Sequence, residues 1–183
     1  MSTPAPSNPP LSDEQKKLIL SYAAEVRRFE IERFWQRSLF FWGFIGAAMV
    51  AYATLGRDSL AQLLIGCFGL LSSLAWTLAN RAGKYWHESW EQKVERYQCE
   101  VLGTDLFSRK ESLRSKGVLG AARYSASKLT IAMSDLSLAL WALLVIRALQ
   151  IDPRAAISWP AAAIVGFTIL YAIHIVRHAR SSN

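Results

Sequence analysis

The sequence is poor in the residues that staple folds or carry chemistry. It has two cysteines, Cys67 and Cys99, and three histidines in 183 residues, too few and too scattered for a disulfide framework or a Cys/His metal scaffold. No proline stands between Pro10 and Pro153, so no ring lacking an N–H interrupts a helix there. Acidic residues are outnumbered, 14 against 21 Lys and Arg, giving a net charge of +7. Glycine-rich phosphate loops, a Ser-His-Asp order and paired carboxylates are also missing. These absences lead to the expectation of a protein that is not an enzyme and has no cofactor, no metal site and no nucleic-acid partner.

What the chain has in abundance is apolar residue, 52% of the total, gathered in blocks. Four blocks, residues 39–55, 60–79, 129–149 and 157–176, approach the roughly 17–25 residues that cross a ~30 Å hydrocarbon core as a helix. The first lies too far along the chain, behind too many charges, to be a secretory signal, and it is expected to stay in the mature protein. Basic residues then set orientation. Six Lys/Arg precede the first block, ten lie from Arg81 to Lys128 and two follow the last; only Arg57, Arg147 and Arg154 fall on the other side. This predicts an all-α integral membrane protein with four transmembrane helices, cytoplasmic helical extensions and both termini in the cytoplasm. The positive charge then faces anionic lipid on the cytoplasmic side.

The proline-rich start, residues 1–11, reads as a disordered tail. An N-terminal cytoplasmic helix follows over 12–38, capped by Ser12 or Asp13. Its apolar stripe is Ile19, Tyr22, Val26 and Phe29, and it enters the first span past Arg33, Trp35, Arg37 and Trp42, side chains suited to the membrane interface. After the second span, Trp86, Trp90, Val94, Tyr97 and Val101 keep a helical period, so that span and the following helix read as one continuous element that Gly83 could kink. The remainder of segment 80–128 is a basic connection, and 177–183 is a short cytoplasmic tail. Gly69-x-x-x-Ser73 and Gly43-x-x-x-Ala47 are candidate close-packing faces, within the first hairpin or between subunits.

Three features invite a chemical reading. Asp135 falls about two turns inside the third span, where a lone carboxylate costs several kcal/mol. It is a candidate intramembrane polar site, either part of an ion or proton pathway or paired with Lys128, Ser134 or a neighbouring helix. His87-Glu88-x-x-Glu91 lies one residue away from the H-E-x-x-H zinc helix. With no second ligand cluster in view, it reads as the charged face of a helix whose other face is Trp86, Trp90 and Val94. His174 and His178 have metal-ligand spacing but stand at the basic end of the fourth span and read as interfacial.

The blocks FEIERFWQRSLFFWGF and GLLSSLAWTLANRAGKYWHESWEQKVERYQCEVLGTDLF, with YSASK before the third span, resemble the RipA family of octameric bacterial inner-membrane proteins over roughly residues 20–150. The signature falls on Phe29, Glu30, Trp35, Arg37, Asn80, Lys84, Trp86, Trp90 and Glu91. The chain departs from it at Tyr97-Gln98-Cys99, where such proteins often carry an acidic pair. The resemblance implies a multi-pass protein of the bacterial inner membrane that assembles with itself, as eight subunits. The nine signature residues become a candidate subunit interface, with Glu30, Arg37, Lys84 and Glu91 pairing across it. Asp135 and this tendency to form a ring favour a non-enzymatic pore, gate or membrane scaffold. The alternative is a membrane-bound sensor or effector in a stress response, partnering a cytoplasmic protein through the basic segment 103–123.

Overall fold

The computed structural model describes residues 12–55, 59–102, 125–150 and 158–179. The described residues form four α-helices: α1 (Asp13–Thr54), α2 (Ser59–Leu102), α3 (Ala126–Gln150) and α4 (Trp159–His178). The proline-rich tail, the links 56–58 and 151–157 between apolar blocks and the basic segment 103–123 lie outside the described residues. Helix α1 begins with a reciprocal capping box. The Ser12 hydroxyl accepts from the Gln15 N–H at 3.2 Å, and the Gln15 side-chain oxygen accepts from the Ser12 N–H at 2.9 Å, satisfying two backbone donors that the helix leaves open. Helix α4 starts from extended Ser158 with Pro160 in its first turn, where a missing N–H costs nothing.

Three helical stretches, Leu60–Cys99, Ala126–Leu149 and Trp159–His178, are long and apolar enough to cross a membrane. Helix α1 is not among them. Its apolar part behind Arg37 runs only from residue 38 to the helix end at Thr54, roughly 25 Å of helix against a ~30 Å core.

The chain divides into two compact units, Met1–Glu32 with Tyr85–Ala121 and Arg33–Lys84 with Ala122–Asn183. In the first, the buried residues are Ala23 on α1 with Val94 and Gln98 on α2. The stripe expected on α1 is therefore rotated. Ala23, with Ile19 and Val26 partly covered, faces inward, while Tyr22 and Phe29 are exposed. A methyl side chain at the contact lets two helices approach more closely than rings would.

In the second unit, α2 packs antiparallel to both α1 and α3. Against α3, the matched positions run from Arg81 opposite Asp135 through Ser73 opposite Ser137 to Gly69 under Trp141. Trp141 is fully buried, and a Cβ at Gly69 would overlap its indole. The Gly69-x-x-x-Ser73 face is thus used, but against α3 of the same chain and not within the α1–α2 hairpin or between subunits. It is the position of a single large ring, Trp141, that fixes this. Gly43 and Gly46 have nothing within 4 Å of where a Cβ would stand, so the Gly43-x-x-x-Ala47 face has no close packing among the described residues. Helix α2 continues through Gly83, whose missing side chain makes room for Phe34 and Arg37 of α1.

Tyr52 seals the other end of the α1–α3 contact, edge-on to Trp141 and donating to the Leu144 carbonyl at 3.2 Å. Helix α4 joins through apolar side chains, Ala161, Ile164 and Val165 packing on the cluster of Leu63, Cys67 and Ala148.

Candidate functional site

The polar side chains of the second unit converge on the seam between α2 and α3. Asp135 accepts two hydrogen bonds from Arg81, 3.0 Å from Nη1 to one carboxylate oxygen and 3.1 Å from Nη2 to the other. This parallel fork is the strong form of the Arg–carboxylate pair. One turn away, Asn80 is buried and its amide donates to the Thr130 carbonyl at 3.3 Å. Further along, the hydroxyls of Ser73 and Ser137 lie 2.8 Å apart. Ser134 is buried and donates to the Ile131 carbonyl of its own helix.

Asp135 therefore finds its partner on a neighbouring helix, and that partner is Arg81. In sequence Arg81 reads as one basic residue among ten that set topology. The signal available was its position, directly after the second apolar block, where an arginine can reach a carboxylate near the start of the third. The register between the helices, which brings 81 opposite 135, is a tertiary fact. Both side chains keep about half of their surface, 50% for Arg81 and 44% for Asp135, so the pair lies on the flank of the chain and not in its core. Among the described residues, Thr77 Oγ1 and the indole N–H groups of Trp141 and of Trp76, which meets Trp42 of α1 edge-on, are buried without a hydrogen-bond partner.

In the first unit, Glu91 is exposed and pairs within its own chain. Its Oε1 lies 3.2 Å from Arg27 Nη2 and 3.4 Å from His87 Nε2. A metal at His87 and Glu91 would compete with that guanidinium for the carboxylate. Trp90 is partly covered and carries the Lys93 ammonium 4.2 Å above its ring, a cation–π contact.

The nine signature residues thus separate into kinds. Asn80 is an internal packing residue, and Glu91 has an internal ion pair. Glu30, Lys84 and Trp90 are partly covered, whereas Phe29, Trp35, Arg37 and Trp86 are exposed. Phe29 and Trp86 each show half their surface, and Trp35 meets Phe34 edge-to-face at 5.6 Å. Charged residues do bind across helices within one chain, among them Arg27 with Glu91 and Arg81 with Asp135.

Residues 17–150, which take in most of α1 and all of α2 and α3, match the family model of the Octameric membrane protein family (8xMP). The chain belongs to the octameric membrane protein family. Membership makes it a membrane protein that assembles with its own copies, and the three apolar helices agree with that. In this octameric membrane protein the family match ends where α3 ends, so α4 lies beyond it. No curated protein and no solved structure matches the chain.

Proposed function

We propose that the chain is a non-enzymatic subunit of an octamer in the bacterial inner membrane. Each copy spans four times, the short apolar part of α1 crossing by local bilayer thinning and snorkelling of its flanking arginines, with both termini in the cytoplasm beside anionic lipid, and the assembly acts as a pore, gate or scaffold. The observation that carries the reading is the Arg81–Asp135 pair. A forked ion pair placed among apolar helices and still half accessible needs water or protein against its open side. A ring of copies supplies either one, at a subunit seam or along a water-filled axis. The exposed Phe29, Trp35 and Trp86 favour assembly further, because wide apolar surface left open on one chain marks a contact with another.

Ion flux through liposomes holding the purified protein is the test. A pore or gate gives a leak that changes in Asp135→Asn, whereas tight liposomes with wild-type protein eliminate both and leave the scaffold. Orientation is checked at Cys99, which is exposed while Cys67 is buried. A membrane-impermeant maleimide should label Cys99 in inverted vesicles and not in intact spheroplasts; the opposite pattern would refute cytoplasmic termini. The second reading, a stress sensor that recruits a soluble protein, draws on the five basic residues of segment 103–123. It predicts tight liposomes and a partner lost when those residues are neutralised.

A further inference from the structure

The C-terminal turns of α4 carry a ladder of rings. Tyr171 stacks on His174 with centroids 5.9 Å apart, and His174 on His178 at 3.9 Å, with planes inclined by 24° and 29°. The Nδ1 atom of His178 lies 3.1 Å from the His174 carbonyl oxygen. A carbonyl oxygen can only accept, so this hydrogen bond places the proton on Nδ1 and leaves the lone pair of the neutral ring on Nε2. Histidines that ligate metals are commonly held in this way, one nitrogen anchored to a carbonyl and the other turned to the ion. Two Nε2 ligands on a tetrahedral ion at 2.0–2.1 Å stand about 3.3 Å apart. In the stacked pair the ring planes are inclined by only 29°, so the two lone pairs do not meet at one point; the exposed His174 ring turns out of the stack to bring its Nε2 to the same ion as the anchored His178.

Arg177 lies between the two in sequence, but its side chain lines a different surface, with Ala172, Ile173 and Val176. Both imidazoles are exposed, so an ion has free access. The interfacial reading of this pair accounts for its position on the chain, but not for the anchoring of His178 Nδ1 that leaves Nε2 free for a ligand.

We propose that His174 and His178 form a two-histidine chelate for a divalent late first-row transition ion. Imidazole nitrogen selects Cu2+, Ni2+ and Zn2+ over Mg2+ and Ca2+, with Cu2+ bound most tightly. Among the described residues no group of three or more His, Cys, Asp or Glu side chains converges, so water completes the coordination and the ion exchanges readily. The pair His87 and Glu91 has the same i, i+4 spacing and serves as the internal control, because its carboxylate is engaged by Arg27.

The test uses the full chain in detergent, purified with a tag free of histidine and stripped with a chelator, then titrated with Cu2+ and Ni2+. The expected result is one ion per chain, with a Cu2+ electron paramagnetic resonance signal from two nitrogen ligands. Affinity should fall at least tenfold in both His174→Ala and His178→Ala and hold in His87→Ala. Both side chains are exposed, so these variants should elute at the wild-type oligomer volume. Equal affinity in wild type and in the two α4 variants would overturn the proposal. So would one ion per two chains, which would place the ligands on different copies, or loss of binding in His87→Ala.

Discussion

Helices α3 and α4 are both long and apolar enough to cross a membrane, yet they are held in opposite ways. The chain buries 22% of the apolar window of α3 and 6% of that of α4. Helix α3 meets α2 through directional contacts, the Arg81–Asp135 fork, the Ser73–Ser137 hydroxyls, Asn80 to the Thr130 carbonyl, and an indole seated on Gly69. Helix α4 has one buried residue, Thr168, and its hydroxyl donates to the Ile164 carbonyl of the same helix. Apolar contact gives little net gain between helices in lipid, because lipid tails are as apolar as leucine; close packing and hydrogen bonds carry association there. By that rule α3 is pinned in register and α4 is only lightly attached. The family match draws the same line, including α3 and stopping before α4.

Substitutions that exchange the two modes test the contrast. Gly69→Leu should have the largest effect, since any Cβ there overlaps Trp141. A cost above about 3 kcal/mol is expected from overpacking against a buried ring, read as loss of the oligomer peak on gel filtration, and normal assembly would show that the indole is free to move aside. Next comes Asp135→Leu, which strands the Arg81 charge. Half exposure limits the penalty to about 1–2 kcal/mol, and the exchange Arg81→Asp with Asp135→Arg should recover part of it in a thermal melt. Ser73→Ala is smaller, about 0.6 kcal/mol, the average for an interhelical hydrogen bond in a membrane protein; a loss beyond 2 kcal/mol would mean that the hydroxyl pair anchors more than itself. Thr168→Val on α4 should change the melting temperature by no more than about 1 °C. A drop comparable to that of Asp135→Leu would break the distinction between the helices.

The periodicity of the sequence made the helical character and the unbroken passage through residue 80 legible, because no proline or glycine pair interrupts that stretch. The need of Asp135 for a partner was legible from burial cost alone. Its identity was not, since Lys128 and Ser134 are near in sequence while Arg81 is brought near only by the α2–α3 register. The small-residue face at Gly69 was visible, but which helix would fill it depended on Trp141, 72 positions further on. On α1 the inward stripe was misplaced by one position because pattern reading favours Tyr22 over Ala23, whereas close packing favours the methyl group. Asn80 is buried on the Thr130 carbonyl and the exposed Glu91 pairs with Arg27, and both partners lie in parts of the chain that no local pattern links to them.

The Arg81–Asp135 fork also bears on how the chain enters the bilayer. Inserting an isolated helix with an aspartate at its centre is opposed by about 2.5–3.5 kcal/mol, and one two turns from the end, as Asp135 is, by less than that. Arg81 is made 54 residues before Asp135, so the second helix is already in place when the third emerges. The order of synthesis delivers the counter-charge first, and α3 can leave the translocon against α2 as half of a neutral pair.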